Sequence, residues 1–122
     1  MLKRVRVVVE MVEVEVKKKV SPSLLERVCR SEVLAYVDGD ALTVAKAHVL
    51  YEFYKFAGDE LVQRWKFRDQ GPFAKAYDIY LYKHLKWLAR HGLLEEGEGP
   101  YGGIAYRVTK EGVRVLILLG LL

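Results

Sequence analysis

The chain has 122 residues, a length that suits one domain with a modest core of its own. A hydrophobic fraction of 52% argues against disorder, and 20 Lys plus Arg against 16 Asp plus Glu give a mild positive charge that admits a nucleic-acid partner without singling one out. The single cysteine, Cys29, excludes an internal disulfide and a cysteine-rich zinc site; within LLERVCRSEVL it reads as a small apolar core residue. The start, MLKRVR, leads into alternation with Glu10, Glu13 and Glu15 rather than an apolar run, and the terminal VLILLGLL is too short to span a bilayer. The expectation is a cytoplasmic protein with no membrane partner. The absence of Asn and the presence of only two Gln is the bias of proteins from hot environments, which suggests a thermophile.

In chain order, Val5 to Val20 alternates apolar residues at Val5, Val7, Val9 and Met11, then changes phase to Val12, Val14 and Val16. Alternating valines predict a strand, and the phase change without Gly, Pro or Asn predicts a bulge or an exchange of buried faces. Such a strand needs a partner: a second copy of the chain about a two-fold axis, or the hairpin near the C-terminus. A helix forced by packing is the third reading. Ser21 or Ser23 is placed to cap a helix over 24–37 with Leu24, Val28, Leu34 and Val37 inward. Asp38-Gly39-Asp40 is a turn. A helix over 41–57 follows, with Val44, Ala47, His48, Tyr51 and Tyr54 on one face and Gly58 as its stop. A short helix over 60–67 presents Leu61, Val62 and Trp65, and Gln70-Gly71-Pro72 is a break. The last long helix is expected over 73–91, so that four or five helices precede the hairpin.

That last helix organises the rest. Taking about 100° per residue, Leu85 and Leu88 fall within roughly 40° of Leu81, while Lys83, Lys86 and Arg90 fall at roughly 140–200°. One side is apolar and the other is basic, with no acid between Asp78 and Glu95. Trp87, near 240° on the same wheel, lies off the apolar stripe and is expected under the N-terminal strand or in a dimer contact. After Gly92, LLEE reads as a strand, GEGPYGG as a hairpin turn and IAYRV as the returning strand. Thr109 caps a final helix. That helix is apolar on nearly all sides and must be buried, most simply by a partner subunit.

KHLKWLARHGLLEE, a glycine-rich turn, then YRVTKEG and a hydrophobic helix resemble the second half of a winged helix-turn-helix domain of the archaeal and bacterial transcription-regulator type. The resemblance covers Leu81 to Leu119 and extends less fully to Leu42. It implies a fold that is mainly α with a small β component (α+β), with an N-terminal strand extension at 1–20, a winged-helix core at 41–108 and a C-terminal helix at 109–122. It makes the helix bearing Leu81, Leu85 and Leu88 the recognition helix, 60–67 the preceding helix of the motif and 97–103 the wing. The segment before the recognition helix, RDQGPFAKAYD, is longer and bulkier than the family pattern. Tyr80 and Tyr82 stand where Ser, Thr or Arg is usual, which favours backbone contact over base reading.

The implied function is double-stranded DNA binding by a homodimeric transcriptional regulator. Lys83, Lys86 and Arg90 are the leading contact residues. Lys75, Tyr80 and Tyr82 stand behind them, and Tyr101 and Arg107 are the wing candidates. Glu95, Glu96 and Glu98 would repel phosphates, so their side of the wing should face away. No carboxylate or histidine has the setting of a general acid or base, and His48, His84 and His91 lack metal-ligand spacing, so neither an enzyme, a metal nor a cofactor is expected. The alternative is a winged-helix protein–protein assembly module without DNA binding.

Overall fold

The computed structural model describes residues 5–9, 12–74 and 80–122. The chain opens with β1 (Val5–Val9) and β2 (Val12–Val16), paired antiparallel with Val5 opposite Val16, Val7 opposite Val14 and Val9 opposite Val12. The phase change in the valine pattern is therefore a chain reversal, not a bulge or an exchange of faces. Directly opposed positions of an antiparallel pair share a face, so the alternation resets from one strand to the next. β3 (Val33–Val37) pairs with β2, and β4 (Asp40–Thr43) completes an antiparallel sheet of order β1-β2-β3-β4. The N-terminal strand thus finds its partners within the chain.

The helix expected over 24–37 is absent. Pro22–Leu24 forms one 3-10 turn, and VLAYV is strand. Strand neighbours on both sides of 33–37 satisfy an extended backbone there, which outweighs the local helical spacing. Lys17 N and Lys18 N both donate to Leu34 O, at 2.8 and 3.0 Å, so two residues of one segment oppose one of the other. This bulge lets the adjacent Leu34 and Ala35 both be buried. Asp38 and Gly39 take φ of 49° and 84°, the two positive values a tight two-residue hairpin requires between β3 and β4.

α1 (Val44–Ala57) starts three residues later than expected because 41–43 belongs to β4. It runs through the middle of the molecule, packed on β3, β4, β7, α3 and α4. Val44, Ala47, His48, Val49, Leu50 and Phe53 are buried on it, so its burial extends round more of its surface than one stripe. Gly58 ends it at φ 60°. The expected short helix divides into β5 (Val62–Gln63) and α2 (Arg64–Gln70). Phe67, not Trp65, anchors α2, with edge-on contacts to Phe53 and Phe56 of α1 at 4.8 and 5.6 Å between centroids. Leu61 and Trp65 are exposed.

α3 (Leu81–Arg90) is shorter than the helix expected over 73–91: Phe73 and Ala74 are in a turn, and 75–79 lie outside the described residues. β6 (Leu94–Glu98) and β7 (Ile104–Val108) follow as the expected hairpin, and β5 joins the free side of β7 to give the order β5-β7-β6. α4 (Lys110–Leu118) begins at Thr109, whose Oγ1 accepts from Gly112 N at 3.0 Å and donates to Gly92 O at 2.6 Å. Among the described residues the fold is thus α+β, with four α-helices and two antiparallel sheets; three helices, not four or five, precede the hairpin.

The final helix needs no second subunit for most of its burial. Val115, Leu116, Leu119 and Leu121 join the core that contains Val14, Leu50, Phe53, Leu85, Leu88 and Tyr106, leaving Ile117 and Leu122 exposed. No described helix is long and apolar enough to cross a membrane.

Candidate nucleic-acid interface

α3 is fixed by its inner stripe. Leu81, Leu85 and Leu88 are buried, and full burial of a leucine contributes roughly 1.5–3 kcal/mol. At the far end Gly92 turns the chain at φ 77°, Leu93 N reaches back to Leu88 O at 2.9 Å, and Leu93 is fully buried. This is a glycine-terminated helix stop with an apolar residue closing it. The outer face follows from the same periodicity: Lys83, Lys86 and Arg90 are exposed. None of the three forms an ion pair with a described residue.

The other expected contact residues are placed unequally. Lys75 lies outside the described residues. Tyr80 is 52% exposed at the start of α3, with Lys83 Nζ 5.2 Å from its ring centroid. Tyr82 is half-buried under two α2 guanidinium groups, Arg64 at 4.3 Å and Arg68 at 5.5 Å from its centroid. It serves to lock α2 to α3, a cation–π contact. Tyr101 is 91% exposed at the hairpin tip. Arg107 is held across the strands by Glu95, Nη2 to Oε2 at 2.6 Å, and that hydrogen bond pushes the guanidinium further toward its charged form. A phosphate would have to displace the Glu95 carboxylate to reach it.

Glu96 of β6 is likewise engaged. Tyr106 donates its hydroxyl to Glu96 Oε1 at 3.1 Å; burial first, then this carboxylate, pushes the phenol up to about 12. Between α3 and β6 lies an open groove of about 470 Å³, with Lys86 and Arg90 on one wall and Glu95 and Glu96 on the other. The N-terminal half of α3 is therefore its less screened half, and Lys83 stands beside Tyr80 there.

Two arginines escaped the sequence reading. Arg64 and Arg68 stand four apart on α2, one helical face, and RWKFR carried that signal in plain view. One further residue sits elsewhere than expected, and two more have partners that only the fold shows. Trp87 is partly buried against the core: Lys46 Nζ lies 4.3 Å from its ring centroid, and His91 stacks on it. Cys29 is exposed rather than core, with Sγ 3.1 Å from Ser31 Oγ, a hydrogen bond that lowers the thiol from its ordinary range. His48 is a buried polar residue: Arg30 Nη1 donates to its Nδ1 at 2.7 Å, and burial followed by the Arg30 charge pushes the imidazole down. Among the described residues no group of three or more His, Cys, Asp or Glu is arranged to hold a metal. No protein-family model matches the chain, and neither curated proteins nor solved structures yield a significant match.

Proposed function

We propose that the chain is a winged helix-turn-helix DNA-binding protein, a transcriptional regulator that lays α3 in the major groove. The element order α1-β5-α2-α3-β6-β7, with β5 paired to β7 on the side away from β6, supports that reading. So does the placement of the glycine-rich hairpin tip, with Tyr101 projecting into solvent. The observation that carries it is the outer face of α3: three exposed cations, unpaired among the described residues, opposite three buried leucines. Lys83, Lys86 and Arg90 contact phosphates and groove edges, Tyr80 adds a backbone contact, and specificity is modest because the helix start holds no Arg or Asn. The protein acts as a homodimer on a two-fold site, with Ile117 and Leu122 as the apolar surface left for a second copy. Binding of random duplex DNA, followed by fluorescence anisotropy at two salt concentrations, tests this: affinity must fall steeply with salt.

A second reading, an assembly module that binds protein, is favoured by the exposed Leu61 against Gly97 of β6 and the exposed Trp65 of α2. An apolar interface of that kind keeps its affinity as salt rises.

A further inference from the structure

α3 ends against the first residue of β4. His91, the residue that caps it, stacks on Trp87 with centroids 3.8 Å apart and 19° between the rings. Its Nδ1 lies 2.8 Å from the Trp87 carbonyl oxygen and its Nε2 lies 2.7 Å from Asp40 Oδ2. A carbonyl oxygen and a carboxylate only accept hydrogen bonds, so both ring nitrogens must donate. A neutral imidazole carries one N–H. The arrangement is that of an imidazolium, packed face to face on an indole whose π system favours a cation.

We propose that His91 is a proton-dependent latch, its imidazolium tying the C-terminal end of α3 to the β3–β4 hairpin. Loss of the proton leaves one nitrogen lone pair facing an acceptor oxygen, which breaks one of the two bonds. If Nδ1 keeps its proton, the lost bond is the one to Asp40, and the hairpin is released from the helix.

The surrounding charges are few. Asp40, on β4, faces His91 directly and is itself largely exposed. Lys46, on α1, reaches the same Trp87 ring, donates to Ala41 O at 3.2 Å and is attracted by Asp40, so one carboxylate serves cations from two elements. Asp38, in the hairpin turn, is committed to Glu13 N at 2.9 Å on β2. Arg90, the preceding residue, is exposed. The histidine side chain is only 14% exposed, so water replaces its lost bond poorly. The latch acts on the helix that carries Lys83, Lys86 and Arg90, but it stands on the fold and holds whether or not that face meets DNA.

Trp65→Phe leaves Trp87 as the sole tryptophan of the two. A protonated imidazole quenches a stacked indole more than a neutral one does. In Trp65→Phe, Trp87 emission is expected to rise in one step as pH is raised from about 5 to about 9. The step should vanish when His91→Gln is added. Hydrogen exchange gives the structural readout: protection at Gly92 and Leu93, corrected for intrinsic rate, is expected to fall as pH rises through the step, by at most about tenfold per pH unit, and to level off above it. That dependence should be lost in Asp40→Asn. Flat Trp87 emission, a step that survives His91→Gln, or the same pH-dependent protection in Asp40→Asn would each overturn the latch. Asp40 is exposed and outside the core, so its variant folds even if the His91 variant does not.

Discussion

Gly112 sits in the first turn of α4, where helix propensity alone says that alanine would be better by about 1 kcal/mol. The structure says the opposite. A Cβ at Gly112 would fall well inside van der Waals contact of the Leu93 carbonyl oxygen and 3.0 Å from Val108 Cγ1. The first obstacle is backbone, which cannot rotate away as a side-chain end can. That oxygen also accepts the Thr109 N–H at 3.2 Å, so pushing it aside weakens the bond that ties the helix cap to the α3–β6 connection. Overpacking of this kind costs roughly 1–3 kcal/mol or more, and the upper part of the range applies where the clash is with main chain. Set against the propensity gain, Gly112→Ala should destabilise by about 2 kcal/mol, which lowers Tm by about 8 °C in a chain of this size. Thermal unfolding followed by far-UV circular dichroism measures it, with exposed Lys110→Ala as the control expected within about 0.5 kcal/mol of wild type. A Gly112→Ala protein that melts at or above the wild-type temperature would refute the close approach of α4 to the α3–β6 connection.

Two further outcomes follow from particular contacts. Thr109→Ala removes the cap acceptor for Gly112 N and the donor to Gly92 O, and should cost about 1–2 kcal/mol in urea unfolding, more than Thr43→Ala, whose side chain makes no cap bond. His48 gives a pH dependence. Its folded value is pushed below the ordinary 6.5, so the unfolded chain binds the extra proton first as pH falls. Its contribution is fully present above about pH 6.5 and is lost as pH drops from there through the lower folded value. Urea unfolding at pH 7 and pH 5 should show wild type losing stability on acidification by more than His48→Gln, which keeps an acceptor for Arg30. An equal loss in both proteins would put the acid sensitivity elsewhere.

The parts of the fold legible in the sequence are those in which one local rule acted without interference. Leu81, Leu85 and Leu88 at helical spacing, Gly58 and Gly92 at helix ends, Asp38-Gly39 in a hairpin and Thr109 before a helix each state their conformation through sterics or a single hydrogen bond. The N-terminal half was misread for a physical reason. Its strand identity comes from pairing, which no window of sequence displays: β3 is strand because β2 and β4 flank it. The bulge at Leu34 then hides the period-2 signal by burying two successive residues. β5, at two residues, has no periodicity to read. At the candidate site, the exposure of Lys83, Lys86 and Arg90 followed directly from the leucine stripe. The engagement of Arg107 with Glu95, and of Tyr82 with Arg64, depended on cross-strand register and helix packing, which only the folded chain supplies.

The central claim is that the outer face of α3 meets a phosphate backbone. The most direct test compares wild type with Lys83→Ala/Lys86→Ala by fluorescence anisotropy on random duplex DNA, each at low and moderate salt. Each neutralised phosphate contributes about 0.9 to the slope of log affinity against log salt, so the double variant should bind more weakly and lose about 1.8 from that slope. Its melting temperature should stay close to wild type, because both side chains are exposed. Affinity indifferent to salt, or an unchanged slope in the double variant, would contradict the account.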